Sequence, residues 1–317
     1  MIIGALSACD NVEFEGTRLE LVPPSGDSSE TAEASDTLEA RDSTVASPFP
    51  EGPLLYMGTR TGTQVSVHPV GEITATGLRP LDHTGTPGFL DALIERRLAP
   101  GTPLTLFAEG VRVGTLRVQE TTIESGFCRP TPVASGVAEV VPGTEEAVRF
   151  LAVDEAAVAD VPYGEYRPVE HTFDQRVAGL DFAAEALRRT GALWPPSVLE
   201  SRADMQAVPL DGVPRGAIAA TFVVGDRLAV GPPDSRRAHS IFILATGDVG
   251  DYTLDYIGYR PVADGGKGVA RFFEQLDWDR DGQAEIVLEV FGERARWAAV
   301  LDRGPDGWTT TFESACS

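Results

Sequence analysis

Lysine is almost missing from this chain: Lys267 is the only one, and Asn11 is the only asparagine. Both have AT-rich codons, so the depletion reads as the stamp of a GC-rich genome and carries no functional signal. Positive charge is scarce altogether, with 26 Lys+Arg against 48 Asp+Glu and a net charge of −22. Such a balance argues against a nucleic-acid partner and against electrostatic adsorption to anionic lipid. It suits cations, basic partner surfaces or saline surroundings. Long apolar runs are lacking too, and no stretch approaches the ~20 residues of a membrane-spanning helix. Internal repeats are absent. So are a nucleophile elbow, a His-Glu-x-x-His pair, Cys-x-x-Cys and a Gly-rich nucleotide loop. Asp264-Gly265-Gly266-Lys267-Gly268 lacks the Ser/Thr ending of a phosphate loop. The histidines His68, His83, His171 and His239 have no nucleophile beside them and read as surface or core residues. No catalytic residue is assigned.

What is present is a globular composition. The 317 residues, 42 % of them hydrophobic, suffice for one large or two ordinary domains, and 33 Gly with 23 Pro suit strands joined by tight turns. The patterns give an α+β chain, mainly antiparallel β: a small barrel or sandwich with one helix, followed by a β-meander domain with one capped helix.

Residues 1–9 end in Leu6-Ser7-Ala8-Cys9 after a short apolar run. The stretch resembles the end of a bacterial lipoprotein signal, with these four residues as the lipobox. The resemblance implies acylation of Cys9 and a membrane partner reached through an N-terminal lipid anchor. No basic segment precedes the run, which is shorter than a complete signal. Residues 10–53 are rich in Ser, Thr, Glu, Asp and Pro and poor in aromatics, as expected of a disordered acidic tether. With Cys9 assigned to lipid, Cys128 and Cys316 remain, and in an oxidising envelope an even remainder reads as a disulfide.

In residues 54–165, Leu54–Met57 and Val65–His68 read as strands. Thr86-Pro87 opens a helix whose Phe89, Leu90, Leu93, Ile94 and Leu98 face the core. A hairpin follows, Leu104–Phe107 and Val111–Val118 around Glu109-Gly110. In residues 166–317, Thr172-Phe173-Asp174-Gln175 is a capping box opening a helix to Thr190, with Phe173, Val177, Leu180, Ala184 and Leu187 as its apolar stripe. From Ala217 onward strands alternate with Gly, Asp and Pro turns, beginning with Ala219–Val224 and Arg227–Val230.

One stretch demands specific chemistry. Asp277, Asp279, Asp281 and Glu285 place four carboxylates within nine residues, with Gln283 completing the alternation and Gly282 at the sharp turn. Such crowding is neutralised by a cation, and the flexible many-oxygen loop favours Ca2+ over Mg2+. Position 12, where an EF-hand needs a bidentate Glu, holds Leu288. The stretch looks like the Asp-rich calcium loops of FG-GAP and VCBS-type repeat proteins, which lead into a strand as this one does. That resemblance implies a calcium-clamped turn held by Asp277, Asp279, Asp281, Gln283 and Glu285, and no activity. The expected function is that of a lipid-anchored extracytoplasmic envelope protein with a structural calcium site and a binding or scaffolding role. The alternatives are an accessory extracytoplasmic subunit of a membrane-protein complex and a carboxylate-dependent hydrolase.

Overall fold

A computed structural model describes residues 49–81, 86–210, 216–248 and 250–314. Cys9, Asp82, His83 and Cys316 lie outside the described residues, as does nearly all of the expected tether.

The first half builds strands β1 (Leu54–Thr61), β2 (Gln64–Thr74) and β3 (Gly77–Pro80), helix α1 (Phe89–Arg97), and strands β4 (Pro103–Ala108), β5 (Val111–Glu124), β6 (Thr131–Val140) and β7 (Arg149–Asp154). Their order is β1-β7-β4-β5-β6-β2-β3, and β1 also pairs with β2, so six strands close into an antiparallel barrel with β3 as an appended hairpin arm. The β4–β5 turn is tight because Glu109 and Gly110 both take positive φ, 50° and 74°, as a type I′ turn requires. Alternate residues of β1 and β7 face opposite ways. Leu54, Tyr56, Phe150 and Ala152 fill the barrel, while Leu55, Met57, Leu151 and Val153 point outward into a second core. Helix α1 brings Phe89 and Leu93 to the barrel core. It begins at Phe89 after Gly88 in a left-handed conformation, two residues later than Thr86-Pro87 suggests.

Residues 49–53, assigned from sequence to the tether, are docked on the barrel. Phe49 stacks on Phe89 at 5.4 Å, the Glu51 and Gly52 amides donate to Glu72, and Arg97 donates to the Pro50, Glu51 and Gly52 carbonyls. Buried carbonyls need donors, and a single guanidinium supplies several.

The second half contains helices α2 (Phe173–Thr190) and α3 (Val198–Ser201), strands β8 (Arg202–Val208), β9 (Ala217–Val224), β10 (His239–Asp248) and β11 (Asp251–Pro261), helix α4 (Val262–Gly265), and strands β12 (Val269–Leu276), β13 (Glu285–Phe291), β14 (Arg296–Gly304) and β15 (Gly307–Glu313). The meander divides into two four-stranded antiparallel sheets, β8–β11 and β12–β15. They pack face to face through Phe242 and Leu244 against Phe272, Leu288 and Leu301. The other face of β12–β15, with Phe273, Val287 and Phe312, packs on the outward face of the barrel. The two halves therefore share a core. Buried on both faces, β13 is apolar at Ile286, Val287, Leu288 and Val290, each contributing roughly 1.5–3 kcal/mol of burial free energy, and it also carries the buried Glu285 and Glu289.

Helix α2 covers the remaining face of β8–β11. Its capping box forms as expected, with Thr172 Oγ1 accepting from the Gln175 amide at 3.2 Å and Gln175 Oε1 accepting from the Thr172 amide at 2.8 Å. The expected stripe holds at Leu187, which is buried, and at Leu180, which packs against the same core, but fails at its start. Gln175, Gly179, Ala183, Ala186 and Leu187 are buried, whereas Phe173 is 68 % exposed and Val177 43 %. Small residues win because the helix lies close on the sheet: a Cβ at Gly179 would sit 2.6 Å from Met205 Cε. The expected strand Arg227–Val230 is a loop, braced by Arg227 on Asp234. The lone lysine, Lys267, is buried against Asp226, Nζ to Oδ1 2.7 Å. No helix among the described residues is long and apolar enough to cross a membrane.

Candidate metal centre

Residues 277–284 connect β12 to β13, whose ends pair Leu276 with Glu285. The loop folds on its own aspartates. Asp277 Oδ2 accepts from the Gly282 amide at 3.0 Å, Asp279 Oδ1 from the Asp281 amide at 3.1 Å, and Asp281 Oδ1 from the Gln283 amide at 2.8 Å. Arg280 and Gly282 take positive φ, 64° and 90°, which lets the chain reverse inside so few residues. The result brings carboxylate oxygens of Asp277, Asp279 and Glu285 to within 4.8 Å of one another. Oxygens on opposite sides of a Ca2+ ion stand roughly 4.6–5.2 Å apart, so this spacing suits one hard cation.

Two features fit the donor set to a cation. Asp277 Oδ1 is buried without a hydrogen-bond partner, a costly state for a carboxylate oxygen. Glu285 is 5 % exposed, and its carboxyl is pushed up to about 8, first by burial and then by the charges of Asp279 and Asp302. Asp279 is raised as well, by desolvation and by Asp281 and Asp277.

Of the five ligands expected from the sequence, the structure brings together Asp277, Asp279 and Glu285. Asp281 and Gln283 do not join them as side chains. The left-handed residues on either side of Asp281 turn its carboxylate back onto the Gln283 amide, and the exposed Gln283 side chain leans on Asp281 in turn. Sequence reasoning missed the brace beneath the loop. Arg280 forms a two-pronged ion pair with Asp160, Nη1 to Oδ2 2.8 Å and Nη2 to Oδ1 2.9 Å, and also donates to the Ala157 carbonyl. With 120 residues between the partners, nothing in the local pattern could have shown it.

A second acidic cluster was also missed. Glu274 is fully buried, and its Oε2 accepts from the Glu109 amide at 3.0 Å while Oε1 accepts from the Gln275 amide at 3.2 Å. Burial pushes both Glu109 and Glu274 well above the usual carboxylate range, and the charge of Glu109 raises Glu274 further. Arg149 lowers both, and it is itself tied to the Phe272 carbonyl at 2.9 Å and Gln206 Oε1 at 2.6 Å. With one guanidinium for two carboxyls, the pair retains a proton near neutrality. Neither residue lines the cavities of about 510 and 210 Å3, so the pair offers no substrate route there.

Among the described residues, His68 and His239 lie against aromatic rings. His68 meets the Phe127 ring in a tilted contact at 4.4 Å, and His239 meets Tyr259 edge-on at 5.8 Å. Cys128 is not without a partner, while Cys316, with which sequence pairs it, lies outside the described residues. Compared with protein-family models, curated proteins and solved structures, the chain matches none at a significant level.

Proposed function

We propose that this chain is a non-catalytic binding or scaffolding protein of the extracytoplasmic envelope, lipid-anchored at Cys9, in which Ca2+ clamps the β12–β13 hairpin. The observation that carries the calcium reading is the convergence of Asp277, Asp279 and Glu285 around the orphaned Asp277 Oδ1. Asp277, Asp279 and Glu285 would hold the ion, and its charge would supply the neutralisation that three crowded carboxyls lack. Loop carbonyls and water complete the oxygen shell that Ca2+ takes. The role is structural: the loop leads into β13, which reaches both the core shared with the barrel and the core between the two sheets. Cys9 supports the anchor through the lipobox, and Cys128 supports a bridge to Cys316 that would tie the barrel to the C-terminus.

Thermal unfolding in Ca2+ and in chelator tests the clamp. An ion that binds only the folded chain stabilises it by about 2.7 kcal/mol at a hundredfold excess over Kd, a shift of several degrees. Asp277→Asn with Glu285→Gln should abolish the shift. An unchanged melting curve with no ion retained in native mass spectrometry rejects the site. The anchor is tested separately by metabolic labelling with an alkyne fatty acid, which Cys9→Ser should prevent.

A further inference from the structure

The larger cavity lies away from both acidic clusters, between α1, the barrel wall at β2 and β3, and the start of β14. Its volume is about 510 Å3, within the range of small-molecule sites. Phe89, Leu90 and Leu93 of α1 supply apolar lining, and Arg296 lines the same cavity. In a chain of net charge −22, a cleft with surplus positive charge is unusual. The surplus can be located. Glu289, almost fully buried, accepts from Arg271 Nη2 at 2.5 Å and from Arg296 Nη1 at 3.1 Å, so two guanidiniums face one carboxylate. Two nearby cations are each paired with one carboxylate, Arg79 with Glu72 and Arg260 with Glu313, and Arg129 also lines the cleft.

Arg296 is also held in place. Its guanidinium lies over the Phe127 ring at 4.7 Å, and the same ring meets His68 in a tilted contact at 4.4 Å. His68 lines both this cleft and the adjoining cavity of about 210 Å3 that contains Glu289. Burial and the charge of Arg296 keep the imidazole neutral, so it presents one N–H donor and one acceptor. A fixed guanidinium with donors to spare and a neutral imidazole thus line the same cleft as the apolar side chains of α1.

We propose that this cleft binds a small carboxylate with an apolar body, its carboxylate on Arg296 and its hydrocarbon against Leu90 and Leu93. A planar guanidinium matches a carboxylate in two-pronged geometry, and each methylene removed from water adds about 0.8 kcal/mol. The reading deepens the binding role above by naming a ligand class, and it does not depend on the calcium site.

The test is calorimetric titration of the full chain, calcium-loaded and freed of excess ion, with decanoate, decanol and decylamine. Decanoate should bind at least roughly tenfold more tightly than the other two. Arg296→Gln should cost decanoate that advantage and leave decanol unchanged; Arg271 still covers Glu289, so the fold should hold, which the melting curve reports. Leu90→Trp, at a half-exposed position, should exclude all three by filling the cleft. No binding of decanoate at about 1 mM, or equal binding of decanoate and decylamine, overturns the proposal. Either result leaves the calcium-dependent melting shift untouched, so the two readings fail separately.

Discussion

Two acidic clusters sit three residues apart along β12 and its hairpin, and they handle crowded carboxyls by opposite means. Asp277 and the exposed Asp279 stand in the connecting loop above the buried Glu285, so a cation can enter from the loop side. Glu274 and Glu109 gather at the seam between barrel and sandwich, where only a proton and Arg149 are at hand. The difference lies in access. A carboxyl group that water and ions reach stays charged and recruits a counterion; one that they cannot reach takes up a proton. Carboxyls three residues apart therefore offer oxygens suited to a cation in one place and a neutral hydrogen-bonding group in the other.

The largest effect should come from removing the only cation of the sealed cluster. Arg149→Met leaves two buried carboxyls without a counter-charge and takes the donors from the Phe272 carbonyl and Gln206. Losing a partly buried guanidinium with its hydrogen bonds and its charge beside the two carboxyls should cost on the order of 1–3 kcal/mol, measurable by urea unfolding near neutral pH. The loss should shrink in acid, where both carboxyls are protonated. An equal loss at acid and neutral pH would mean that packing, and not charge, sets the cost.

Next in size is the pH dependence. A carboxyl whose pKa is higher in the folded than in the unfolded chain stabilises the fold fully below its unfolded value, and that stability is lost as pH rises toward the folded value. Glu109 and Glu274 are both raised, so stability should fall between about pH 5 and about pH 8, by at most about 1.4 kcal/mol per pH unit per carboxyl. Glu274→Gln keeps the shape and an acceptor while removing one titration, and should flatten the profile. The calcium response should survive this substitution unchanged. If chelator sensitivity vanished with it, the two clusters would be one system and the comparison would fail.

How legible each cluster was in the sequence follows from the same geometry. The hairpin cluster is local: Asp277, Asp279 and Glu285 lie within nine residues, and the loop that gathers them is held by Asx turns that their spacing announces. The capping box of α2 and the β4–β5 turn were legible for the same reason, each being decided by adjacent residues. The sealed cluster joins Glu109, Arg149 and Glu274 from three separate strands or turns. Its key step is a bulge between Phe272 and Glu274, which a strict two-residue alternation cannot foresee. The face of α2 was misjudged because apolar periodicity ranks Phe173 and Val177 above Gly179 and Ala183, while close packing on a sheet ranks them the other way. The antiparallel β class with a small barrel was readable from alternation and turns; barrel closure through β1 and β2, and the stacking of two sheets on it, depended on contacts across the chain.

The smallest expected effect separates the hairpin's metal from its brace. Arg280→Ala removes an exposed two-pronged ion pair with Asp160 but keeps a Cβ at φ 64°, so it should lower the melting temperature slightly, and less in high salt. Arg280→Gly removes the same pair and relieves the left-handed backbone, which offsets roughly 0.5–1 kcal/mol. The glycine variant should therefore melt close to the parent and above the alanine variant. If Ca2+ holds the loop, the gap between Arg280→Ala and the parent should be wider in chelator than in calcium, because the ion then fixes the turn that the ion pair otherwise fixes. Equal gaps in both conditions would show that brace and metal act on separate parts of the hairpin.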